Sequence, residues 1–215
     1  MSFHLIHSPK SKRIERKIIL KKGQSIFMLQ HLKILGFNRT YPNRKISSIY
    51  FDDFELNALR DNIDGNQNRN KIRIRYYNDI LSNSVIELKQ KRGFIGYKTK
   101  FKFSEHINNY DELINASKEK LFKTFNKQLR PVSKVSYFRE YYLKNHIRAT
   151  IDTKITAVKV SSNGKNLITS LNDYEVIEFK YESCHDSYFR EFFHSFNNFY
   201  LRTTKSSKYS NSLMY

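Results

Sequence analysis

Apolar and polar residues alternate with a period of two along much of this chain. Residues 71–77, KIRIRYY, place Lys71, Arg73 and Arg75 on one face and Ile72, Ile74 and Tyr76 on the other, which is the pattern of a strand. Strands are likewise expected at 14–21, 44–52, 84–91, 95–103, 132–142, 146–152, 155–160 and 174–181. Turn residues separate several of them: Asn78-Asp79, Arg92-Gly93, and SSNGKN at 161–166. A helical period marks 23–35, where Ile26, Leu29, Leu32 and Leu35 share a face, and also 54–63, 109–128 and 186–200. Strands dominate and helices are scattered among them. The expected class is therefore α+β around a large antiparallel sheet or barrel. No linker composition and no fixed repeat divides the chain, so one domain over residues 1–215 is expected.

Charge follows the same alternation. Glu15 aligns with Lys17, and Glu87 with Lys89 and Lys91. Lys98, Lys100 and Lys102 align, as do Tyr137 with Arg139, Arg148 with Thr150 and Asp152, and Glu178 with Lys180. A single strand of this kind is what a solvated sheet face looks like. Repetition over at least six strands favours another arrangement, in which the sheet curls until the charged faces meet and enclose a polar lumen. Such a lumen needs water, ions or a charged ligand to satisfy it. Arg forks and Lys point charges suit phosphate oxygens. The few interleaved carboxylates suit Mg²⁺ or Mn²⁺, which take carboxylate and phosphate oxygens together.

Composition points the same way. The chain has 215 residues, with 39 Lys and Arg against 20 Asp and Glu, a formal charge of +19. That balance implies an anionic partner: nucleic acid, an anionic membrane surface or a phosphorylated small molecule. The single Cys184 excludes an internal disulfide framework, fits a reducing compartment and reads as a small core residue. The seven His residues show no metal-like spacing and read as surface or packing residues. No apolar run reaches the ~20 residues of a membrane span, and a cytoplasmic location is expected.

In order along the chain, ERKIIL, SSIYFDDFELNAL, KIRIRYY, IELKQK, YKTKF, RPVSKVSYFREYY, IRATIDTKI, VIEFK and KSSKY resemble the VTC domain. This is the polyphosphate polymerase branch of the triphosphate tunnel metalloenzymes. The resemblance implies an eight-stranded antiparallel β tunnel with a cation-lined lumen and helices packed outside. It implies catalytic roles for Arg73, Arg75, Lys89, Arg139 and Lys208. Substrate contacts would come from Lys17, Lys98, Tyr137, Arg148, Lys180, Lys205 and Ser207. Glu178 would be the main ligand of Mn²⁺ or Mg²⁺, with Glu87 and Glu15 secondary, and helix 186–200 would carry the SKY element back against the tunnel. ATP and polyphosphate or pyrophosphate would be the partners, and nucleic acid would not. Hydrolytic and cyclase relatives carry Glu-x-Glu-x-Lys at the N-terminal strand. Here Arg13 stands where the first Glu would be, which favours the polymerase branch. The membrane helices and phosphate-sensing domain of larger VTC proteins are not expected in this chain, so a membrane-protein partner would have to thread any product across a bilayer. Two rivals stay open: a tunnel triphosphatase or polyphosphate hydrolase, and a non-catalytic polyanion-binding module.

Overall fold

A computed structural model describes residues 13–214 apart from 94, 104–105, 162, 164, 172 and 197–200. In chain order the elements are β1 (Arg13–Lys21), α1 (Gln24–Ile34), β2 (Asn38–Asp52), α2 (Asn57–Ile63), β3 (Arg69–Tyr77), β4 (Ile80–Arg92), β5 (Ile95–Lys102) and α3 (Tyr110–Phe125). They continue with β6 (Arg130–Lys144), β7 (Ile147–Val160), β8 (Asn166–Leu171), β9 (Tyr174–Glu182), a 3₁₀ turn (Ser183–His185), α4 (Asp186–His194), β10 (Thr203–Thr204) and α5 (Lys208–Met214). No helix among the described residues is long and apolar enough to cross a membrane.

The ten strands pair antiparallel in the order β10-β1-β9-β7-β6-β2-β3-β4-β5, with β8 added to β7. The expected eight-stranded closed barrel is not what this sheet shows: it has ten strands, nine of them along a path with two ends, and no ladder joins β10 to β5 among the described residues. The sheet nevertheless curls strongly. Lys89 on β4 lies 3.6 Å from Glu15 on β1, although five strands separate β1 from β4 along the path.

The expected strands 146–152 and 155–160 are one strand, β7. Lys154 sits at φ 50° beside a register shift against β6 between Ser136 and Phe138, the mark of a bulge. The bulge splits β7's partners: residues 148–152 pair with β9, and 156–160 with β8. Helix 186–200 ends as α4 at His194, and 197–200 lie outside the described residues. The SKY element is instead the start of α5, a helix that the sequence pattern did not predict.

Period-two alternation gives the sheet a charged concave face and an apolar convex one. Ile18, Leu20, Ile151, Ile177 and Phe179 pack outward against Met28 and Leu32 of α1 and Phe189 and Phe192 of α4. Ile49, Ile74 and Ile86 pack against Leu113, Ile114 and Leu121 of α3. The predicted apolar face of α1 shifts accordingly, since Ile26 is 60% exposed while Met28 and Leu32 are buried. Glu175 fixes the start of α1 by accepting from the backbone N–H groups of Gly23 and Ser25 at 3.1 and 2.9 Å, donors that the first helical turn leaves without a partner.

A third cluster lies inside the curl. Tyr209 of α5 stacks on Tyr50 and packs with Val135, Ile155, Ala157 and Val176, while Leu56 just before α2 and Leu59 within it close in. Asp52 ties this plug together. Its carboxylate accepts from the backbone N–H groups of Ala58 and Leu59, both at 3.0 Å, and from the Tyr209 hydroxyl. We expect Asp52→Ala to lower stability by about 3 kcal/mol, because it strands two helix N–H groups and a buried phenol. Urea denaturation measures this, and a change under about 0.5 kcal/mol would show the plug is held by apolar packing alone.

Candidate functional site

The strand registers bring the charged residues of the concave face side by side. Lys17 lies opposite Glu178, and Glu15 opposite Lys180. Thr150 faces Glu178, and Arg148 faces Lys180. Arg139 faces Asp152, Tyr50 faces Arg73, Arg73 faces Glu87 and Lys89 faces Lys98. Lys71, Arg73 and Arg75 thus point into the curl and not toward bulk solvent.

Four carboxylates organise these cations. Glu87, 2% exposed, accepts from Arg73 Nε and Nη2 at 2.9 and 2.7 Å, with Lys98 Nζ at 2.5 Å and Arg75 Nη1 at 3.8 Å. Burial alone would raise this carboxyl, but Arg73, Arg75 and Lys98 outweigh burial and hold it well below the ordinary carboxylate range. Asp152 is gripped by the Arg139 fork at 2.6 and 2.7 Å and by Lys208 at 2.5 Å. Its carboxyl is likewise driven down, against burial, by Arg139 and Lys208. The third and fourth carboxylates share one cation: Lys180 Nζ lies 3.2 Å from Glu15 and 3.3 Å from Glu178. Lys17 is 3.8 Å and Arg139 4.0 Å from Glu178. Glu15 is held down at about 2, with Lys180, Lys89 and Lys17 overcoming burial.

Tyr137 links two of these groups. Its hydroxyl is 3.4 Å from Arg75 Nη2, and its ring lies under Arg139 at 5.2 Å and Lys208 at 4.6 Å. The C-terminal segment then closes the curl where no ladder does. Ser206 O accepts from Lys17 at 3.0 Å, Ser207 Oγ accepts from Lys71 at 2.9 Å, and Lys208 reaches Asp152. Three successive residues thus contact three different strands.

Two expected residues lie away from this cluster: Lys205 is exposed, and Arg148 is exposed at the rim. Lys89 is an intermediate case, contacting Glu15 with 57% of its side chain accessible. Sequence reasoning left out Lys71, Asp152 and Tyr50 as site residues. Lys71 and Asp152 were within reach, since each shares a strand face with a nominated cation. Tyr50 carries no charge to flag it.

The donor set also fits a divalent metal. Glu15 and Glu178 offer oxygens on either side of Lys180. Beside Glu178, the buried Thr150 Oγ1 has no hydrogen-bond partner among the described residues, so a polar ligand there would complete it. Glu87 fits less well, because Arg73 and Lys98 already occupy both of its oxygens.

A family profile described as the VTC domain matches residues 12–215. Comparison with curated proteins gives no match. Among solved structures, a candidate adenylate cyclase from Vibrio parahaemolyticus is similar with TM-score 0.57 and 12% identity, covering 97% of this chain and 100% of that one. A candidate adenylate cyclase from Bacillus halodurans gives TM-score 0.54 and 17% identity, covering 93% and 96%. The Hippeastrum protein HpAC1, a candidate adenylyl cyclase described as having a dominant triphosphatase activity, gives 0.53 and 13%, covering 93% and 94%. At these identities the likeness shows a shared fold.

Charge crowding leaves a measurable trace at Lys71. Burial first, then Lys17, Lys89, Arg69 and Arg73, push its ammonium down to about 7. The folded chain therefore releases this proton near neutrality, while the unfolded chain holds it up to the ordinary lysine value of 10.5. The unfolded state binds more protons across that window, so stability rises with pH there. We expect wild type to gain at least about 1 kcal/mol over Lys71→Met between about pH 6.5 and about pH 9.5, read by urea denaturation without phosphate. Parallel pH profiles would show that Lys71 is solvated normally.

Proposed function

This chain belongs to the VTC domain family, and on that premise we propose that it is a polyphosphate polymerase. It would transfer the γ-phosphoryl group of ATP to a growing polyphosphate chain within the cation-lined curl. The observation that carries this proposal is the charge balance of the concave face. Nine cations (Lys17, Lys71, Arg73, Arg75, Lys89, Lys98, Arg139, Lys180, Lys208) meet four carboxylates (Glu15, Glu87, Asp152, Glu178). With Lys71 protonated the excess is five positive charges, and four once Lys71 has released its proton, and either suits a run of phosphates.

Phosphoryl transfer asks the protein mainly for positioning and charge neutralisation. Arg73 and Arg75 would fork onto the oxygens of the transferring phosphate. Glu87 fixes Arg73 beforehand, so that group loses little freedom on binding. Arg139, Lys208 and Tyr137 would hold the adjoining phosphate, with Asp152 setting their orientation. Lys17, Lys98, Lys180 and Ser207 would line the path on either side. Glu178 and Glu15 would hold a divalent ion, Mn²⁺ or Mg²⁺, which when bound neutralises charge on the phosphoryl oxygens. In the reaction an oxygen of the acceptor's terminal phosphate attacks the γ-phosphorus in line. The bond from that phosphorus to the β–γ bridging oxygen breaks and ADP leaves.

Two rim features favour a polymerase over a hydrolase. Arg13 stands across the ladder from Glu182, and it shares a cleft with Arg148 and Lys180. The cations therefore continue from Lys180 to the rim through Arg148 and Arg13. In a hydrolase with Glu at position 13, that end of the strand would carry the opposite charge.

The decisive experiment incubates protein with ATP and Mn²⁺ and resolves the products on a gel. A ladder of lengthening polyphosphate is expected, and free phosphate alone would establish the triphosphatase alternative. Glu178→Gln then separates binding from catalysis. It removes a metal carboxylate and relieves the cations around it, so affinity for metal-free tripolyphosphate should hold or improve. Turnover should nevertheless fall by at least about a hundredfold. Retained metal-dependent turnover would place the metal elsewhere.

A further inference from the structure

A second cluster of ligating groups stands outside the curl's charged network, at the end of β9. Glu182 closes that strand, and Cys184 and His185 follow in the 3₁₀ turn before α4. One ligand atom from each of these three lies within 4.8 Å of the others. Ligand atoms around a tetrahedral Zn²⁺ stand about 3.3–3.8 Å apart, given bond lengths near 2.0–2.3 Å, so small side-chain rotations would complete the shell. A second element restrains the site. His146, in the turn between β6 and β7, stacks on His185 with centroids 4.2 Å apart and planes 2° from parallel, which holds the His185 ring in one orientation.

The donors are a thiolate, an imidazole and a carboxylate. That mixture selects a borderline-soft ion over Mg²⁺ or Mn²⁺, which prefer all-oxygen shells such as Glu15 with Glu178. Cys184 is exposed and not the core residue that its scarcity in the sequence suggested, so a metal has direct access. Three protein ligands leave a fourth position for water or an anion. Glu182 and His185 border a cleft of about 320 Å³, which Arg148 and Lys180 also line.

We propose that Glu182, Cys184 and His185 form a zinc-class metal site at the rim of the curl, with an open coordination position. A filled site would place a further positive centre beside Arg148 and Lys180, where a polyanion enters or leaves. The site stands on its own geometry and does not depend on the chemistry proposed for the concave face.

The single cysteine of the chain makes the test specific. Tag-free, fully reduced protein is titrated with Co²⁺ in phosphate-free buffer, and the near-ultraviolet sulfur-to-cobalt charge-transfer band is followed. Any such band reports Cys184, because no other thiol exists in the chain, and Glu15 and Glu178 cannot produce it. We expect the band to saturate at one Co²⁺ per chain, to be abolished by equimolar Zn²⁺ and to survive excess Mg²⁺. Cys184→Ser should remove the band. His185→Ala should weaken Co²⁺ binding by more than about tenfold, since even outer-sphere partners of a metal are worth that much. Glu178→Gln should leave the band unchanged. Three results would each overturn the site: no band in wild type, saturation at one Co²⁺ per two chains, or a band undiminished in His185→Ala.

Discussion

The excess positive charge on the concave face is the constraint around which the fold is arranged. Cations this close repel one another, and a partly dry lumen screens them poorly. The chain answers with a small number of deeply placed carboxylates, each shared among several cations. Glu87 and Asp152 are each gripped by an Arg from one strand and a Lys from another element. Removing either would leave buried cations uncompensated, which is far costlier than losing a surface ion pair. The remaining excess is left for the ligand. An empty lumen is therefore the strained state, and a bound anion supplies what the protein withholds.

The same constraint explains why the C-terminal segment is threaded through the inside. Among the described residues the sheet's backbone ladder does not close, so the ladder there does not itself hold the curl against repulsion. Ser206, Ser207 and Lys208 bridge β1, β3 and β7 by way of Lys17, Lys71 and Asp152. Tyr209 then anchors to Asp52 on β2. The segment combines neutral acceptors for two crowded lysines with one added cation for a buried carboxylate. It also seats α5 as the apolar plug, which confines the polar region to the other part of the curl.

The sequence made most of the sheet legible because each central strand buries one face and charges the other. KIRIRYY shows this best, since Lys71, Arg73 and Arg75 fall on one face and Ile72, Ile74 and Tyr76 on the other. What escaped was whatever depends on contacts distant in sequence. α5, KYSNSLM, has three residues that compete with helix by hydrogen-bonding locally. It is helical because Tyr209, Asn211 and Ser212 find partners at Asp52, Tyr174 and Ser133. β8 is a short strand with no alternation to mark it, and it exists because the bulge at Lys154 frees that half of β7 from β9. Closure was overread for a related reason: residue patterns specify which face is polar, but not where the ladder ends. At the site, charge patterning found the cations readily. It undervalued Asp152, whose role is visible only once β6 sets Arg139 beside it.

The distribution of carboxylates suggests how positioning and metal binding are divided. Glu87 and Asp152 have their oxygens occupied by Arg forks and ammonium groups, an arrangement that fixes guanidinium planes and leaves little for a metal. Glu15 and Glu178 are different: they share a single flexible Lys180, and no Arg approaches either closer than 4.0 Å. A lysine is a point charge on a mobile stem and can swing aside, where a bidentate arginine would not. The pair with the looser partner is thus the pair suited to exchange a cation. Thr150, buried beside Glu178 with its hydroxyl unmatched among the described residues, marks the same place from a second strand. Rigid forks to hold phosphate and an exchangeable ammonium to admit a metal are two demands that one uniform cation row could not meet.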